Sequence, residues 1–172
     1  MESLGHALWL LPAPPEDAAF AEVIAALAGD MGGPLFDPHV TLLGRMERGE
    51  GELLAYCQSL AARLRPIPAR VRGVESRDVW NQILFARLED DAVLDGLHRE
   101  AALAMGMASP SFLPHLSLAY GEFSSAEREA MQSSLPRLPE SFTLDRLALA
   151  RTAVHPAGGS LAGKDSAEAS ST

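Results

Sequence analysis

Two short segments of the chain carry residue types suited to acid–base chemistry. Residues 36–42 are Phe-Asp-Pro-His-Val-Thr-Leu and residues 112–118 are Phe-Leu-Pro-His-Leu-Ser-Leu, so four of the seven positions are identical. Each segment has a histidine followed two positions later by a hydroxyl residue. Aliphatic residues fill the alternate positions, which is the pattern of a strand with one polar face and one buried face.

The alternation places the polar side chains of each segment together. In a strand, residues i and i+2 face the same side, so His39 lies beside Thr41 and His115 beside Ser117. Imidazole titrates near neutral pH, so two histidines can supply a base and an acid at once. Hydroxyl groups can donate hydrogen bonds to phosphate oxygens without adding charge. Such a set suits transfer or hydrolysis at a phosphodiester, where negative charge develops on the phosphate oxygens.

The two segments belong to a longer internal repeat with an offset of 76 residues, from His39 to His115. Each half runs through a strand, a helix, a loop and a histidine-bearing strand. This pattern predicts two similar lobes that face each other about an approximate twofold axis. The offset also aligns the first strand with a later one, and pairs His6 with Gln82, Leu8 with Leu84 and Trp9 with Phe85. We expect His6 and Gln82 to flank the cleft as additional polar contacts.

Hydrophobic periodicity and capping residues define the elements that must hold these segments. Strands are predicted over 6–11, 40–44, 67–75, 79–88, 115–120 and 141–151. Helices are predicted between them, beginning after Pro14-Pro15, before Leu53, at Asp90 or Asp91, and at Ser124 with Glu127 in capping-box spacing. The fold class is α+β, with two pseudo-symmetric lobes, each an antiparallel sheet flanked by helices, around a central cleft.

The predicted boundaries are a bilobal domain over 1–155 and a flexible tail over 156–172, which is rich in Gly, Ala and Ser. His98, beside two charged residues on the third helix, is expected to be a solvated surface residue. Met31, Met105 and Met107 are expected in the core.

The amino-acid composition limits the classes of molecule that the protein can be expected to bind. The 172 residues are 47% hydrophobic and carry a net charge of −9, which disfavours a protein that holds extended nucleic acid by its phosphates. The single Cys57 excludes an intramolecular disulfide and a cysteine-based zinc site. No apolar run reaches the length of a membrane span, and the first residues lack the features of a signal peptide. We expect a cytoplasmic monomer that does not bind membranes.

The doubled motif resembles that of the 2H phosphoesterase superfamily. The sequences of Phe36–Leu42 and of the segment from Pro114 to Tyr120 are similar to the corresponding motifs of the cyclic phosphodiesterase family of plants and yeast. The segments Leu8–Pro12 and Arg146–Leu149 and residue Gln82 also agree with that family. The resemblance covers about residues 6 to 152.

The resemblance implies an enzyme that hydrolyses small cyclic phosphates, such as ADP-ribose 1″,2″-cyclic phosphate and nucleoside 2′,3′-cyclic phosphates, without a metal ion or other cofactor. It implies that His39 and His115 are the acid and base and that Thr41 and Ser117 bind the phosphate. We assign His115 as base and His39 as acid. Tyr120 matches a pocket tyrosine of the family, but alternation directs it away from His115. It can reach the cleft only if the strand ends or bulges first.

The chain departs from the family near its C-terminus, where residues 157–163 lack the aromatic residue that helps to hold the substrate base. Trp80 or Trp9 can offer a stacking face instead, although Trp9 is better interpreted as a core residue. Three alternatives stay open. They are an RNA 2′,5′-phosphodiesterase or end-processing enzyme of the same superfamily, a non-catalytic nucleotide-binding module, and a zinc hydrolase.

Overall fold

A computed structural model describes residues 3–108, 111–154, 160–162 and 167–170. The strands are β1 (Ser3–Pro12), β2 (Val40–Met46), β3 (Ile67–Glu75), β4 (Leu84–Leu88), β5 (His115–Ala119), β6 (Ser141–Val154), β7 (Ser160–Ala162) and β8 (Ala167–Ser170). The helices are α1 (Glu16–Met31), α2 (Glu50–Arg63), α3 (Ala92–Ala104) and α4 (Ser125–Ser133), and a single 3-10 turn spans Trp80–Gln82.

Local signals account for the ends of the helices. Gly32 ends α1 in the left-handed conformation, with φ of 74°, where glycine carries no steric penalty. The Asp91 carboxylate caps α3 by accepting hydrogen bonds from two backbone N–H groups of its first turn. Ser124 and Glu127 form the predicted capping box at the start of α4. The predicted starts of α3 at Asp91 and of α4 at Ser124 are therefore confirmed.

The strands form one antiparallel circuit that joins the two lobes. The order of pairing is β1-β2-β5-β4-β3-β6, and β6 pairs back onto β1. The lobes meet at two places in this circuit. One is a single pair between β2 and β5, Val40 with Leu116, and the other is a four-residue ladder between β3 and β6. The predicted α+β fold class is confirmed, and its two sheets are continuous with each other.

The internal repeat is visible in the register of the strands. The β1–β2 pairs recur 76 residues later in β4–β5, where Leu84 pairs with Ala119, Phe85 with Ser117 and Ala86 with Leu116, matching Leu8 with Leu43, Trp9 with Thr41 and Leu10 with Val40. The Val40–Leu116 pair joins two equivalent positions. It therefore lies on the approximate twofold axis that relates the lobes.

The apolar faces of the histidine-bearing strands are buried in the main core. Val40 and Leu42 of β2 and Leu116 and Leu118 of β5 are at most 1% exposed, as the alternation predicts. Burying a leucine side chain in this way contributes about 2 kcal/mol. These residues pack in the core on one face of each strand, so the polar side chains lie on the opposite face.

The predicted strand 79–88 is only half right. Residues 84–88 form β4, but residues 80–82 form the 3-10 turn, in which the Gln82 N–H donates to the carbonyl of Val79. The carbonyl of Trp80 accepts a hydrogen bond from the N–H of Gly121, across the lobe. This long-range bond binds the turn to the residues just after β5, so the chain leaves the extended conformation before β4 begins.

The prediction that His98 is a solvated surface residue is wrong. His98 is 5% exposed, and its Nδ1–H donates to the carbonyl of Leu42 at 2.8 Å. Its ring stacks on Phe112 with centroids 4.6 Å apart. It lies one helical turn after Leu94 and therefore shares the buried face of α3. The charged neighbours in the sequence lie on other faces of the helix.

Part of the predicted flexible tail is paired in the structure. The backbone of β7 pairs with residues 152–154 of β6, and that of β8 with residues 146–149. The rest of the segment 156–172 lies outside the described residues, so the mobility of the tail stays a prediction. Within the described ranges, no helix is long and apolar enough to cross a membrane.

Candidate active site

The two motif histidines are oriented in the same way. The Nδ1 atom of His39 lies 2.7 Å from the carbonyl oxygen of Asp37, and that of His115 lies 2.8 Å from the carbonyl oxygen of Leu113. A carbonyl can only accept, so Nδ1 carries the proton in each ring. The proline before each histidine favours an extended backbone, which brings the carbonyl two residues earlier within reach. In both rings Nε2 is left as the atom that can take or give a proton.

The pairing of Val40 with Leu116 brings the two motifs side by side. Continuing this antiparallel register by one residue in each direction places His39 opposite Ser117 and His115 opposite Thr41. Each histidine thus faces the hydroxyl residue of the other lobe. The two rings are close enough for His115 to lower the pKa of His39 electrostatically. The four motif side chains therefore lie together on the polar face of the joined strands.

The surroundings of His39 are aromatic and largely closed to solvent. Its ring is 5% exposed and stacks on Trp9, with centroids 3.7 Å apart and planes 11° apart. Phe36 contacts the same ring edge-on at 6.2 Å. Burial lowers the pKa of His39 from 6.5 to about 4, although the hydrogen bond to Asp37 opposes this change. His39 is therefore neutral in the free protein at neutral pH.

The surroundings of His115 are more open and carry positive charge. Its half-buried ring lies edge-on to Phe85, with centroids 5.1 Å apart. Burial lowers the pKa of His115, the hydrogen bond to Leu113 raises it, and the charges of Arg77 and Arg87 lower it further. The two histidines therefore differ in electrostatic environment, although their backbone geometry is the same.

The two motif hydroxyls are held differently. Ser117 is 5% exposed, and its Oγ donates to the carbonyl of Asn81 in the 3-10 turn at 2.9 Å. The half-buried Thr41 lies opposite Trp9 in the β1–β2 ladder. Among the residues that the structure describes, no hydrogen-bond partner holds the Thr41 hydroxyl. Thr41 can therefore donate to a ligand directly, whereas Ser117 must first release Asn81.

Tyr120 reaches His39 because β5 ends one residue earlier, at Ala119. The phenol Oη lies 3.4 Å from His39 Nε2 and donates to it, while the ring stacks on Phe36 at 3.9 Å. Trp80 also contacts the Tyr120 ring, with centroids 5.1 Å apart. Burial raises the pKa of Tyr120, and a hydrogen bond with Ser117 opposes that rise. The phenol therefore keeps its proton and can act as a donor in the cleft.

The structure does not bring His6 and Gln82 to the motif histidines. His6 pairs with Met46 near the far end of β2, and its Nε2 lies 3.8 Å from a carboxylate oxygen of Glu50 at the start of α2. Gln82 lies in the 3-10 turn and contacts Arg77 instead. Its carbonyl accepts from the Arg77 N–H at 3.0 Å, and its Oε1 accepts from the guanidinium at 3.4 Å.

The sequence interpretation missed the two arginines near His115. Arg87 pairs with His115 across the β4–β5 ladder, and its guanidinium also binds Asp90. Its position two residues after Phe85 in a strand was a usable signal, because such residues share a face. Arg77 follows β3 in a segment without periodicity, so nothing in the sequence indicated its place. No group of three or more potential metal ligands occurs in the part of the chain that the structure describes.

Comparisons with known proteins agree with this architecture. Residues 13–156 match the description "2'-5' RNA ligase superfamily". The chain is 28% identical over 154 residues to the cyclic phosphodiesterase of Arabidopsis thaliana, covering 86% of this chain and 84% of that protein. The structure of TT0787 of Thermus thermophilus superimposes with a TM-score of 0.58 at 23% identity, covering 95% of this chain and 97% of that one. E. coli LigT complexed with 3'-AMP superimposes with a TM-score of 0.62 at 15% identity, covering 99% of both chains. These structural similarities concern the fold.

Proposed function

Because the chain belongs to the 2'-5' RNA ligase superfamily, we propose that it is a phosphodiesterase that hydrolyses small cyclic phosphates by two-histidine acid–base catalysis without a metal ion. The substrates that we propose are ADP-ribose 1″,2″-cyclic phosphate and nucleoside 2′,3′-cyclic phosphates. The similarity to the Arabidopsis thaliana cyclic phosphodiesterase supports this substrate class.

One observation carries the proposal. Two histidines from different lobes, joined by the Val40–Leu116 pair, each use Nδ1 to donate to a backbone carbonyl and keep Nε2 unprotonated. At His39 this Nε2 accepts a long hydrogen bond, 3.4 Å, from the Tyr120 phenol, which the reacting water must replace. A purely structural histidine has no need of a matched partner across a pseudo-twofold axis. A module that only binds nucleotides needs the hydroxyl donors but not two rings with the same orientation. This symmetry favours catalysis over simple binding.

The proposed reaction uses one histidine as base and the other as acid. The base takes a proton from a water molecule through Nε2, and the water oxygen forms a bond to phosphorus opposite the leaving ribose oxygen. The bond from phosphorus to that ribose oxygen breaks, and the acid gives it a proton. Thr41 and Ser117 donate hydrogen bonds to the non-bridging oxygens, where charge develops. The product is a phosphomonoester with a free ribose hydroxyl.

Burial supports one assignment of these roles. When two neighbouring histidines share one proton, the proton resides on the more solvent-accessible ring, because burial disfavours the charged imidazolium. That ring is His115, because His39 is the more deeply buried and its pKa lies at about 4 in the free protein, although burial, Arg77 and Arg87 also disfavour the protonated form of His115. In this state His39 is ready to act as base and His115 as acid. This is the reverse of the roles assigned from the sequence, and the roles are part of the proposal.

The charge of the molecule supports a small substrate. A net charge of −9 repels an extended polyanion, whereas one cyclic phosphate can be held locally by hydroxyls and imidazoles. A single chain supplies both histidines and both hydroxyls, so the proposed reaction needs no second copy. Size-exclusion chromatography of the active protein tests this point, since activity confined to a dimer would contradict it.

The experiment that tests the function is a hydrolysis assay in the presence of EDTA. ADP-ribose 1″,2″-cyclic phosphate and the four nucleoside 2′,3′-cyclic phosphates are supplied separately, and phosphorus NMR identifies the products. We expect conversion of the cyclic phosphate to a phosphomonoester with EDTA present. Activity that appears only after addition of a divalent metal would contradict the metal-independent mechanism. No turnover of any cyclic substrate would contradict the function.

The family description favours a second candidate, an enzyme that processes RNA with 2′,5′ linkages. The same two histidines can act on a linear phosphodiester of this kind. The discriminating measurement is kcat/KM for a cyclic mononucleotide against that for a 2′,5′-linked oligonucleotide at the same salt concentration. A higher value for the oligonucleotide would replace the first proposal with the second.

A further inference from the structure

Within the described residues, Arg77 differs from most arginines of this acidic protein in having no carboxylate partner. Of the 13 arginines in the sequence, nine form ion pairs with Asp or Glu in the described part of the chain. The guanidinium of Arg77 donates only a long hydrogen bond, 3.4 Å, to the neutral side-chain amide of Gln82 among the described residues. Its positive charge is therefore not neutralised by a neighbouring acid.

The unpaired charge stands at the His115 side of the cleft. The Arg77 guanidinium carbon lies 5.7 Å from the centroid of the Phe85 ring, and His115 contacts the same ring, with centroids 5.1 Å apart. The charge of Arg77 reaches His115, since it lowers the pKa of the imidazole. The Arg77 guanidinium and the proposed catalytic ring of His115 thus both contact Phe85.

Gln82 holds Arg77 at two points. The backbone carbonyl of Gln82 accepts from the Arg77 N–H at 3.0 Å, while its side-chain oxygen accepts from the guanidinium. The preceding residue of the 3-10 turn, Asn81, accepts the hydrogen bond of the Ser117 hydroxyl. Arg77 is therefore connected through this one 3-10 turn to a hydroxyl of the proposed phosphate site.

The two sides of the cleft differ in charge, and this difference affects which substrates can bind. Around His39 the side chains in contact with the ring include the neutral aromatic groups of Trp9, Phe36 and Tyr120. The described contacts of Arg77 include neither motif histidine nor either motif hydroxyl, so its guanidinium stands next to the reaction centre without forming part of it. An exposed guanidinium at that position presents several N–H donors in a planar fork, which suits the oxygens of a phosphate.

We propose that Arg77, positioned by Gln82, binds a second, non-reacting phosphate of the substrate. This inference rests on the proposed function and sharpens its substrate class. Cyclic phosphates that carry a further phosphate or diphosphate, such as ADP-ribose 1″,2″-cyclic phosphate, are preferred over nucleoside cyclic phosphates that carry none. The neutral aromatic side of the cleft then receives the uncharged part of the ligand.

The test compares three substrates with the Arg77→Gln variant. These are adenosine 2′,3′-cyclic phosphate, the same compound with a 5′-phosphate, and ADP-ribose 1″,2″-cyclic phosphate. The loss of a charge-assisted hydrogen bond is expected to lower kcat/KM by about tenfold for the two substrates with an additional phosphate. Removing the Arg77 charge also acts on the pKa of His115, and it does so for all three substrates. The decisive quantity is therefore a ratio: kcat/KM for the two phosphate-bearing substrates is expected to fall about tenfold relative to kcat/KM for plain adenosine 2′,3′-cyclic phosphate, which has no group for Arg77 to bind.

Two further variants separate position from charge. Arg137→Gln removes the same charge from an exposed residue that pairs with Glu140, so it should leave all three kcat/KM values unchanged. Gln82→Met keeps the length of the side chain but removes its oxygen. We expect it to lower kcat/KM for the phosphate-bearing substrates mainly through KM, since Arg77 stays present but is less well held.

The results that would overturn the inference are distinct from failure of the proposed function. An equal loss for all three substrates would place Arg77 in the reaction centre, and no loss for any would remove its role. Calorimetric binding of ADP-ribose provides a readout that does not depend on turnover. Weaker binding by Arg77→Gln than by Arg137→Gln would support the second phosphate site even if no cyclic phosphate were hydrolysed. Equal binding by the two variants would refute it.

Discussion

Protonation of the buried His39 should destabilise the fold, and the size of the effect follows from its pKa. The ring is in contact with Trp9 and Phe36, and burial lowers its pKa from 6.5 to about 4. The unfolded chain therefore binds a proton on His39 at a higher pH than the folded chain does. The stability that the neutral His39 contributes is fully present above pH 6.5, the pKa of the unfolded chain. It is lost as the pH falls from 6.5 towards about 4, the pKa in the folded protein.

The magnitude at pH 5 can be worked out from these two values. At that pH His39 is almost fully protonated in the unfolded chain and about one-tenth protonated in the folded chain. The unfolded state is thereby favoured by a factor of about thirty, which corresponds to about 2 kcal/mol of lost stability relative to pH 8. Other groups titrate over the same range, so this contribution has to be isolated by comparison with a variant.

The matched variant is His39→Gln, which keeps an N–H donor for the Asp37 carbonyl but does not titrate. Urea denaturation of both proteins at pH 8 and pH 5 gives the free energy of unfolding under each condition. Between these conditions we expect the wild-type protein to lose about 2 kcal/mol more than the variant. NMR titration of the His39 ring protons measures its pKa independently.

Two results would refute this reasoning. One is an equal loss of stability in the wild-type protein and in His39→Gln. The other is an NMR titration of His39 with a midpoint near 6.5, the ordinary value. Either result would show that water reaches the ring in the folded protein. Burial would then no longer favour His39 as the base.

Four further predictions concern the site and the joint between the lobes. Replacing His39 or His115 by Ala should lower kcat for cyclic phosphates by about 10² to 10⁴, and full activity of both variants would exclude acid–base catalysis by this pair. With a p-nitrophenyl phosphodiester, whose leaving group needs no protonation, His115→Ala should retain activity while His39→Ala loses it, and the opposite result would restore the roles assigned from the sequence. Tyr120→Phe removes the hydrogen-bond donor to His39 Nε2, so NMR should show a higher pKa for His39, and kcat/KM should decrease by about tenfold. An unchanged His39 pKa would show that this hydrogen bond does not favour the neutral ring. Leu116→Ala, at a fully buried position on the axis between the lobes, should lower the free energy of unfolding by about 2 to 5 kcal/mol in urea denaturation, and a loss below about 1 kcal/mol would show that the joint is loosely packed.

Local sequence signals predicted the frame of the fold because their physical causes are local. Asp91 and the Ser124–Glu127 pair cap helices through hydrogen bonds within a single turn. His98 was assigned wrongly because its charged neighbours were given more weight than its place on the buried face of α3. The beginning of β4 was assigned wrongly because the 3-10 turn depends on a hydrogen bond from Gly121, a residue far away in the sequence.

The sequence by itself determined the two His-x-Thr/Ser motifs, their strand faces and the 76-residue repeat, since all of these follow from the order and spacing of residues. The meeting of the two motifs at Val40 and Leu116 follows from how the strands pair. The placement of Tyr120 on His39 and of Arg77 near His115 also belongs to the tertiary structure alone. These contacts depend on where strands end and how the lobes close, which are set by packing and hydrogen bonds between residues distant in the chain. For the same reason only the folded protein distinguishes a buried, neutral His39 from a more open His115 beside positive charge.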